Sequence, residues 1–498
     1  MPTVDYWLGD AGDDYAEVCV RSDTAGTVTI TGGVAEPVDV DPLVGYGIAK
    51  LRVTGLSVDT RYPIVLYLDG VEVASATVRT MPAAGTSWTF GFGSCVGQNQ
   101  LHAYGYQYVL DHDIRLFFAL GDTPYCDESV ASLTVDGTAQ RRWQLGSALP
   151  GSYLGYTSGR VAWDETYHYL QVTPGWEYLT QHVPMLRMGD DHEIGNDWDW
   201  SLSWVSGFSP TVTTQAEVDQ IGYDAGLAFM SWSIGNPTNT DSGAQAWKPS
   251  SCADSASNHP PLYFRKTVDN VEFLILDCTG HMDPQSTKVD TLGKVCVNRD
   301  ENAVLGYSYS DPAGAALAKT RLGPYQLNWL LDRLLASTAT FKVILSPKVP
   351  YRSNAISDNN GWSNFVTERE YIMAFIRRYV TGVLWLTGDM HEATVFNQIA
   401  GHACVNSSCL GQRQYLTDSG ARFYRPGMAD GVIFRLEGHD CPVDPGVKHN
   451  TDGVVRVTPD YLEPMLYSEN GTLLWSGYLP KGKNVMVPSL GYRAGEWA

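Results

Sequence analysis

Short apolar stretches separated by turn residues dominate the first part of the chain, up to about residue 84. Such stretches occupy 16–20, 27–30, 49–53, 64–68 and 74–78, with Gly, Asp and Pro between them. Stretches of this length, bounded by turn residues, are typical of β-strands. The pattern predicts a small antiparallel β-sandwich for residues 1–84, followed by a linker at 81–85.

One segment of this predicted sandwich has the sequence of a known corner. Residues 55–62 read Gly-Leu-Ser-Val-Asp-Thr-Arg-Tyr, which resembles the corner of fibronectin type III and immunoglobulin-like domains. In that corner the tyrosine hydroxyl bonds back to nearby backbone, and Tyr62 is expected to do so here. The N-terminal domain is therefore interpreted as all-β and immunoglobulin/fibronectin III-like. It has no obvious catalytic cluster, which favours a role in support or attachment.

After Trp88 the pattern changes to apolar runs that end abruptly in polar residues. Strands are predicted at 88–93, 114–120, 184–188, 271–276, 341–345 and 383–386, and helices at 325–335 and 368–379. Strands that alternate with helices predict an α/β domain with a largely buried sheet, here residues 85–498. The polar, Trp-containing stretch at about 198–257 is expected to be an insertion or a set of long loops.

Four of the predicted strands end in residues of the kinds that bind metals. In buried α/β sheets the loops beyond the carboxyl ends of the strands converge on one crevice. These side chains are therefore expected to form one site. The candidates are Cys95; Asp122 and Tyr125; Asp190, Asp191, His192 and Glu193; and Asp389 and His391.

The chemistry of this set points to metal ions, although each motif alone is weak. A lone buried cysteine more often fills space than binds a metal. Together, carboxylate and phenolate oxygens with one thiolate suit an iron(III)-like ion, and the remaining carboxylates suit calcium, magnesium or manganese. Two cations that share a carboxylate grip both the attacking and the leaving oxygen of a displacement at phosphorus. Asp122 is the candidate for that shared ligand.

The order and spacing of the motifs resemble the PhoD-like alkaline phosphatase and phosphodiesterase family, relatives of the calcineurin-like and purple acid phosphatases. The resemblance runs from the N-terminal sandwich to about Phe396. It is carried by Gly-Ser-Cys at 93–95, Gly-Asp-Thr-Pro-Tyr at 121–125, Asp-Asp-His-Glu at 190–193 with Asn196 and Trp198, Leu-Gly-Pro-Tyr-Gln-Leu-Asn-Trp-Leu at 322–330, Trp362 with Glu368 and Arg369, and Thr-Gly-Asp-Met-His at 387–391.

The resemblance implies a four-layer α/β/β/α metallophosphatase sandwich that hydrolyses phosphate esters through a metal-activated oxygen nucleophile. The implied activity is that of an alkaline phosphatase or phosphodiesterase, including a phospholipase D-like activity. The implied ligands are Cys95, Asp122, Tyr125 and Asp389 for iron(III), and Asp190, Asp191 and His391, with Asp122 as the bridge, for one or two calcium ions or another hard divalent ion.

His192 and Asp191 are the candidate catalytic residues. His192 follows the aspartate pair as a histidine does in the related phosphatases, and it is expected to stabilise the transition state or protonate the leaving oxygen. Glu193 is expected to orient His192 rather than bind a metal. Thiolate and phenolate ligands form when a strong Lewis acid is bound, so metal binding and site formation should be coupled.

Three other features leave alternatives open. Asp277 precedes Cys-Thr-Gly-His-Met-Asp where family members usually have an Arg-rich turn, so His281 and Asp283 either replace an arginine, serve another metal site or, as preferred, lie in a surface loop. Ser346 and Lys348 are candidates for substrate contact or a structural role. Four tryptophans near the insertion form an apolar rim for substrate or, as preferred, pack the insertion: Trp198, Trp200, Trp204 and Trp232.

The charge of the chain limits its partners. It has 34 Lys and Arg against 55 Asp and Glu, a net charge of −21. Such a surface repels nucleic acid and anionic lipid, so no nucleic-acid-binding surface is expected and a phosphate-ester substrate needs local cations. No signal peptide or membrane span is visible, while the resemblance implies a secreted or periplasmic enzyme.

The sequence leaves the oligomeric state open. The alternative function is a non-enzymatic surface or glycan-attachment protein that retains the fold.

Overall fold

The computed structural model describes most of the predicted strands and the loops that follow them. The described residues are 2–32, 35–42, 45–96, 111–126, 133–135, 138–140, 159–195, 198, 200–202, 213–233, 262–282, 320–350, 361–362, 365–397, 403–407, 432–437, 451–468 and 471–489.

Strands outnumber helices in the described residues. The helices are α1 (Gly159–Gln171), α2 (Pro174–His182), α3 (Gln215–Trp232), α4 (Gly323–Ala336) and α5 (Val366–Tyr379). The strands are β1 (Val4–Ala11), β2 (Tyr15–Ser22), β3 (Gly26–Ile30), β4 (Ala35–Val38), β5 (Gly47–Thr54), β6 (Arg61–Leu68), β7 (Val71–Arg79), β8 (Trp88–Gly93), β9 (Ile114–Leu120), β10 (Leu133–Val135), β11 (Thr138–Gln140), β12 (Met185–Met188), β13 (Phe264–Val268), β14 (Val271–Ile275), β15 (Phe341–Ser346), β16 (Val383–Thr387), β17 (Glu392–Asn397), β18 (Ala403–Ser407), β19 (Val432–Glu437), β20 (Thr451–Val457), β21 (Tyr461–Ser468), β22 (Leu473–Pro480) and β23 (Val487–Pro488).

Two antiparallel sheets form the N-terminal region, in the orders β1-β2-β5 and β4-β3-β6-β7. Apolar residues alternate along β5, where Leu51 and Val53 are buried and the residues between them face solvent. The inward side chains of the two sheets belong to one core. The Ser57 backbone N–H donates a 2.7 Å hydrogen bond to Tyr62 Oη. The predicted corner contact is therefore confirmed.

Two seven-stranded mixed sheets form most of the rest of the described fold, and β10 and β11 pair as a separate two-stranded sheet. The first sheet has the order β12-β9-β8-β20-β21-β22-β23, and the second has the order β13-β14-β15-β16-β18-β17-β19. In the first sheet β8, β9 and β12 run parallel to one another. In the second sheet β14, β15, β16 and β18 run parallel. Parallel strands of this kind are usually buried on both faces.

The two sheets pack face to face, with helices against their outer faces. Along β9, Phe118 points into the core between the sheets and its ring lies 4.6 Å from that of Phe273 of the second sheet. Its neighbour Phe117 faces the other way and packs with Trp176 of α2. Trp385 of β16 likewise packs with α4 and α5 on the outer face of the second sheet. Alternate residues of a strand point to opposite faces, which explains why these strands are apolar throughout.

Most of the predicted elements of the α/β region are confirmed. All six predicted strands occur at β8, β9, β12, β14, β15 and β16, and both predicted helices occur as α4 and α5. Of the two alternatives for 198–257, long loops are contradicted where the stretch is described, because α3 is an 18-residue helix there, and the insertion stays a prediction. The hydroxyl of Thr214 accepts the Glu217 N–H and the Glu217 carboxylate accepts the Thr214 N–H, which caps its first turn. The sequence pattern did not indicate α3, because small and polar residues interrupt the apolar face of this helix.

The preferred interpretation of the tryptophans as packing residues is confirmed for those that the structure describes. Trp198 and Trp232 are buried, and Trp200 is 9% exposed. Trp232 stacks on Trp7 of the N-terminal region, with ring centroids 5.3 Å apart. Trp204 lies outside the described residues. This packing fixes α3 against the N-terminal region, where Lys50 Nζ also donates to two carbonyls at its C-terminal end.

The C-terminal strands were not predicted. β20 pairs with β8 in antiparallel register, and β21, β22 and β23 extend the first sheet from there. The partner of β20 lies more than 350 residues earlier in the chain, so local patterning gave no sign that these strands join the first sheet. Within the described residues, no helix is long and apolar enough to cross a membrane.

Candidate metal centre

Five parallel strands bring the candidate side chains to one place. β8, β9 and β12 are neighbours in the first sheet, and β15 and β16 are neighbours in the second. Each strand is followed, two residues after its last residue, by a polar side chain of the site. Because the strands are parallel and in register, equal offsets place these side chains at one edge of the stacked sheets. They are Cys95, Asp122, Asp190, Lys348 and Asp389.

Two glycines allow the loops of the site to approach one another closely. A Cβ at Gly388 would lie 2.5 Å from Ser94 Cβ and 2.8 Å from the Leu120 carbonyl oxygen. A Cβ at Gly121 would lie 2.6 Å from Asp190 Cβ, and Gly121 has a φ of 92°. Both glycines directly precede a candidate ligand. Glycine is therefore needed before Asp122 and Asp389, because a larger residue would prevent the loops of the site from making this close contact.

Cys95, Asp122, Tyr125 and His391 form a buried cluster that we call the Cys95 group. Asp122 Oδ2 accepts hydrogen bonds from Cys95 Sγ at 3.4 Å and from Tyr125 Oη at 3.2 Å. Tyr125 Oη lies 2.6 Å from His391 Nε2. Candidate ligand atoms of Cys95, Asp122 and His391 all lie within 4.8 Å of one another. A thiol, a phenol, a carboxyl and an imidazole thus converge within the distance of ligands around one ion.

Four of the candidate ligands have left-handed backbone conformations. The φ angles of Cys95, Asp122, Asp389 and His391 are 57°, 55°, 74° and 49°. This region is uncommon for residues other than glycine, and each such residue costs on the order of 1–3 kcal/mol. Such conformations cluster where the backbone must aim side chains at a common point. The backbone therefore supports the interpretation of these loops as a ligand-binding site.

The second cluster, which we call the carboxylate group, consists of Asp122, Asp190, Asp191 and Asp389. Ligand atoms of all four lie within 4.8 Å of one another, and Asp122 belongs to both groups. The ammonium of Lys348 lies among the other three. Its Nζ is 3.1 Å from Asp190 Oδ2, 2.7 Å from Asp191 Oδ1 and 2.5 Å from Asp389 Oδ1. One ammonium of the described chain therefore contacts three of the four acidic side chains in this group.

Burial makes these charges costly. Burial raises the pKa of Asp122, and the neighbouring Asp191 raises it further, while His192 opposes the shift. Burial also raises the pKa of Asp190 well above its ordinary value, although Lys348 lowers it. For Lys348 itself burial lowers the pKa, but the carboxylates Asp190, Asp191 and Asp389 raise it well above its ordinary value. Both directions reflect how closely the carboxylates lie to one another and to Lys348.

Three buried carboxylate oxygens of the site have no hydrogen-bond partner among the described residues: Asp122 Oδ1, Asp190 Oδ1 and Asp190 Oδ2. Of these, only Asp190 Oδ2 forms an ion pair with Lys348, at 3.1 Å. A buried carboxylate oxygen without a partner is costly unless a cation coordinates it. Oxygen, thiolate and imidazole donors at these separations suit a hard trivalent ion beside a hard divalent ion. The residues present therefore fit the metal ions that the sequence predicted.

Glu193 acts on the backbone of the site. Its carboxylate accepts the backbone N–H groups of Asp122 at 3.0 Å, Thr123 at 2.6 Å and Asp190 at 2.8 Å. Burial and the charge of Asp122 raise its pKa to about 8, against the effect of these hydrogen bonds. Among the described residues its hydrogen bonds go to these two loops, so the expectation that it orients His192 is wrong. Glu193 instead positions the loops that contain two of the ligands.

His192 differs from the candidate ligands in its exposure. It is partly exposed, whereas Cys95, Asp122 and Tyr125 are at most 2% exposed. Its ring packs on that of Tyr125, with centroids 4.1 Å apart, and its carbonyl accepts the Cys126 N–H at 2.9 Å. A histidine held beside the cluster but open to solvent is well placed to meet a substrate that enters the site.

The possible ligand atoms group differently in the structure from the division that the resemblance implies. The resemblance places Asp389 at the iron site with Cys95, Asp122 and Tyr125, and places His391 at the divalent site. In the structure the two residues exchange places: His391 lies with Cys95 and Asp122, and Asp389 lies with Asp190 and Asp191. The left-handed turn after β16 separates the two side chains, and spacing in the sequence does not show which way each one points.

Residues that the sequence left open also take definite positions. His281 lies in the loop after β14, as preferred, but its side chain is 5% exposed and lies 3.8 Å from Asp277, so it is not a surface residue. Asp283 lies outside the described residues. Ser346 is fully buried and donates to the Lys348 carbonyl at 2.6 Å, which fits a structural role. Gln326, whose role the sequence did not predict, binds both the N–H and the carbonyl of Asp277.

Comparison with known proteins agrees with the geometry. Residues 90–407 match the family model described as PhoD-like phosphatase. No curated protein matches the chain in sequence. A solved structure titled as that of PhoD is similar over 99% of this chain and 92% of its own, with 16% identity and a TM-score of 0.67. A purple acid phosphatase from yellow lupin seeds is similar over 95% of this chain and 74% of its own, with 12% identity and a TM-score of 0.56.

Proposed function

The chain belongs to the PhoD-like phosphatase family and is a metal-dependent phosphoester hydrolase, and from that premise we propose that its two ligand groups bind different ions. The observation that carries the proposal is that Asp122 belongs to both groups. A shared carboxylate is what two adjacent ions require as a bridge. The non-enzymatic alternative is not favoured, because an attachment protein has no need of this convergence.

We assign an iron(III)-type ion to the Cys95 group. Cys95, Tyr125 and His391 supply one thiolate, one phenolate and one imidazole, and Asp122 completes the set. This donor set is softer than a calcium site, which takes oxygen ligands only. The carboxylate group is assigned calcium, or another hard divalent ion, on the same reasoning. Asp190, Asp191 and Asp389 offer only oxygen atoms.

The chemistry that such ions supply is the lowering of the pKa of water and the neutralisation of charge on the phosphate oxygens. The chain's own residues complete the reaction. His192 stands beside the cluster and is partly exposed, so it is assigned the stabilisation of the transition state or proton donation to the leaving oxygen. Asp191 is the second residue that is assigned a catalytic role, and it also belongs to the carboxylate group. Glu193 keeps the two ligand loops in place through three backbone hydrogen bonds.

The finer assignments of architecture and setting belong to the same proposal. The packed sheets with outer helices support a four-layer α/β/β/α sandwich, and the Tyr62 corner supports an immunoglobulin/fibronectin III-like domain. The proposed domains are 1–84 and 85–498, with an insertion at about 198–257 that contains α3. The net charge of −21 supports the absence of a nucleic-acid-binding surface. A secreted or periplasmic location rests on the family.

The test of the ion assignment is spectroscopic and analytical. The chain purified with iron and excess calcium should contain both ions when measured by mass spectrometry. Phenolate or thiolate bound to ferric iron absorbs visible light by charge transfer, so Tyr125→Phe should change that absorption band while the calcium content stays the same. Iron content without any effect of Tyr125→Phe on the band would contradict the place of Tyr125.

The substrate is proposed to be a phosphate monoester or diester, cleaved at alkaline pH as by an alkaline phosphatase, a phosphodiesterase or a phospholipase D-like enzyme. Nitrophenyl phosphate, bis-nitrophenyl phosphate and a phosphatidylcholine separate the three cases. We expect turnover of at least one ester with both ions bound. A fully metallated chain that cleaves none of the three would contradict the substrate proposal.

A further inference from the structure

Lys348 lies where a divalent ion would find its ligands. The residue is 1% exposed, and its ammonium contacts one oxygen from each of three acids. These acids come from loops of both sheets, since Asp190 and Asp191 follow β12 and Asp389 follows β16. A centre surrounded by three carboxylates from two loops is the kind of position that calcium takes in proteins.

The position of the Lys348 side chain is fixed by its backbone. The Lys348 carbonyl accepts a 2.6 Å hydrogen bond from the buried Ser346 hydroxyl. The carbonyl of Pro347 accepts the N–H of Gly388 at 3.1 Å, which joins this loop to the one that contains Asp389. Trp362 Nε1 donates to the same Ser346 hydroxyl at 3.3 Å. Lys348 is thus built into the site and is not a surface side chain that has folded inward.

We propose that Lys348 is a permanent cation of the carboxylate group, which occupies one divalent-ion position and limits the chain to a single calcium ion there. This inference rests on the proposed function, because it takes the carboxylate group to be the divalent site. A calcium ion and an ammonium cannot share one centre. The oxygens left for calcium are Asp122 Oδ1 and Asp190 Oδ1, which have no hydrogen-bond partner among the described residues.

The charges of the site agree with a single calcium ion. The anionic ligands are four carboxylates, one thiolate and one phenolate. A trivalent ion, one divalent ion and one ammonium balance these six charges before a substrate binds. A second divalent ion would exceed the charge of the ligands by two with Lys348 present and by only one without it, and with Lys348 its closest oxygens would already contact the ammonium. Lys348 therefore sets the number of ions, and it also competes with calcium for Asp190, Asp191 and Asp389.

The experiment compares the chain with Lys348→Met, which keeps the length of the side chain and removes its charge. Calcium per chain is measured by equilibrium dialysis on the iron-loaded protein. We expect one calcium ion in the unmodified chain and two in Lys348→Met. The difference in melting temperature between the two proteins should also change sign. The variant should melt below the unmodified chain in chelator and above it in excess calcium, since a ligand stabilises the state that it binds.

Lys342→Met is the matched control, because Lys342 is a largely buried lysine at the other end of the same strand. Its Nζ donates to the carbonyls of Ala339 and Thr381 and does not contact the carboxylate group. A lysine with a purely structural role should lower the melting temperature equally with chelator and with calcium, as we expect for Lys342→Met. The calcium count of this control should remain one.

The outcomes separate this inference from the proposed function. Two calcium ions in the unmodified chain, or one in both the chain and a folded Lys348→Met, would overturn the role of Lys348 and leave the metal centre intact. The first of these results does not depend on the variant, so it decides the question even if Lys348→Met does not fold. An unmodified chain that binds neither iron nor calcium would instead overturn the assignment of the site itself.

Discussion

Two buried acidic regions of this chain differ in how their charges are satisfied. In the metal centre, one oxygen of Asp122 and both oxygens of Asp190 have no hydrogen-bond partner among the described residues. The Glu368 anchor, by which we mean Glu368 of α5 with the backbone of Arg321 and Leu322 before α4, leaves no such atom. Its two carboxylate oxygens accept the N–H groups of Arg321 at 2.5 Å and Leu322 at 3.1 Å.

This difference in hydrogen bonding distinguishes acids that bind metal ions from acids that hold the fold together. Both regions are fully or almost fully buried, so burial alone does not identify a functional acid. A carboxylate that binds its own backbone, as Glu368 and Glu193 do, stabilises the arrangement of elements. A carboxylate that faces other acids and one lysine costs folding free energy, and it is retained where a bound cation repays that cost. The comparison predicts that substitutions in the first region mainly affect activity, and those in the second mainly affect stability.

The largest loss of activity is expected for Asp122→Asn, because Asp122 belongs to both ligand groups. The variant should lose at least about 10³-fold in kcat/KM for the best ester and should lose both ions. Its stability in chelator should stay the same or rise, since a buried charge is removed. Metal analysis, ester hydrolysis and thermal unfolding in chelator measure the three effects. A marked loss of stability in chelator would place Asp122 with the scaffold.

His192→Ala tests the division between binding ions and acting on substrate. We expect kcat to fall by about 10²-fold or more, as for the loss of a proton donor, while iron and calcium contents remain unchanged. An ester with a good leaving group such as nitrophenol should be less affected than an alkyl ester, because it needs less help from an acid. Loss of metal from this variant would show that His192 is a ligand.

Cys95→Ala should affect only one half of the metal centre. Removal of one ligand is expected to weaken iron binding by at least the roughly 10- to 100-fold that loss of a residue behind a ligand causes, and activity should fall in proportion to the iron content. The calcium content should change little, because Cys95 does not belong to the carboxylate group. Full activity in this variant would remove Cys95 from the site.

The smallest effect on activity is expected in the Glu368 anchor, where the readout is stability against pH. Burial raises the pKa of Glu368 to about 7, from 4.5 in the unfolded chain. The folded chain therefore keeps this proton up to about pH 7, whereas the unfolded chain releases it near pH 4.5. The contribution of Glu368 to stability is present below pH 4.5 and is lost as the pH rises to 7. Relative to Glu368→Gln, the unmodified chain should lose about 2–3 kcal/mol across this range.

Chemical unfolding of both proteins between pH 4.5 and 8 measures that difference. Other groups titrate equally in the two chains, so the difference isolates Glu368. The activity of Glu368→Gln should remain within about twofold at a temperature where the variant is folded. Parallel stability curves for the two proteins would show that Glu368 is ionised in the folded chain throughout this pH range.

Much of the candidate site could be predicted from the sequence. The apolar runs that end in Cys95, Asp122, Asp190 and Asp389 show strands buried on both faces, and the polar residues that follow them show where the chain leaves the sheet. Lys348 has the same offset after its strand as these four residues. That regularity was available in the sequence, but a lysine does not match a metal-ligand pattern, and its contacts depend on loops from both sheets.

The sequence by itself determined the strands that lead into the ligands, the chemical types at their ends and therefore the family and the reaction class, because these depend on local patterns and on motif order. Only the tertiary structure decided which ligand faces which group. His391 and Asp389 are two residues apart in the sequence, yet they lie in different ligand groups. Glu193 accepts backbone N–H groups of its own loop and of the loop after β9. Such assignments follow from backbone turns and from the packing of one sheet on another, which bring together residues more than 250 positions apart.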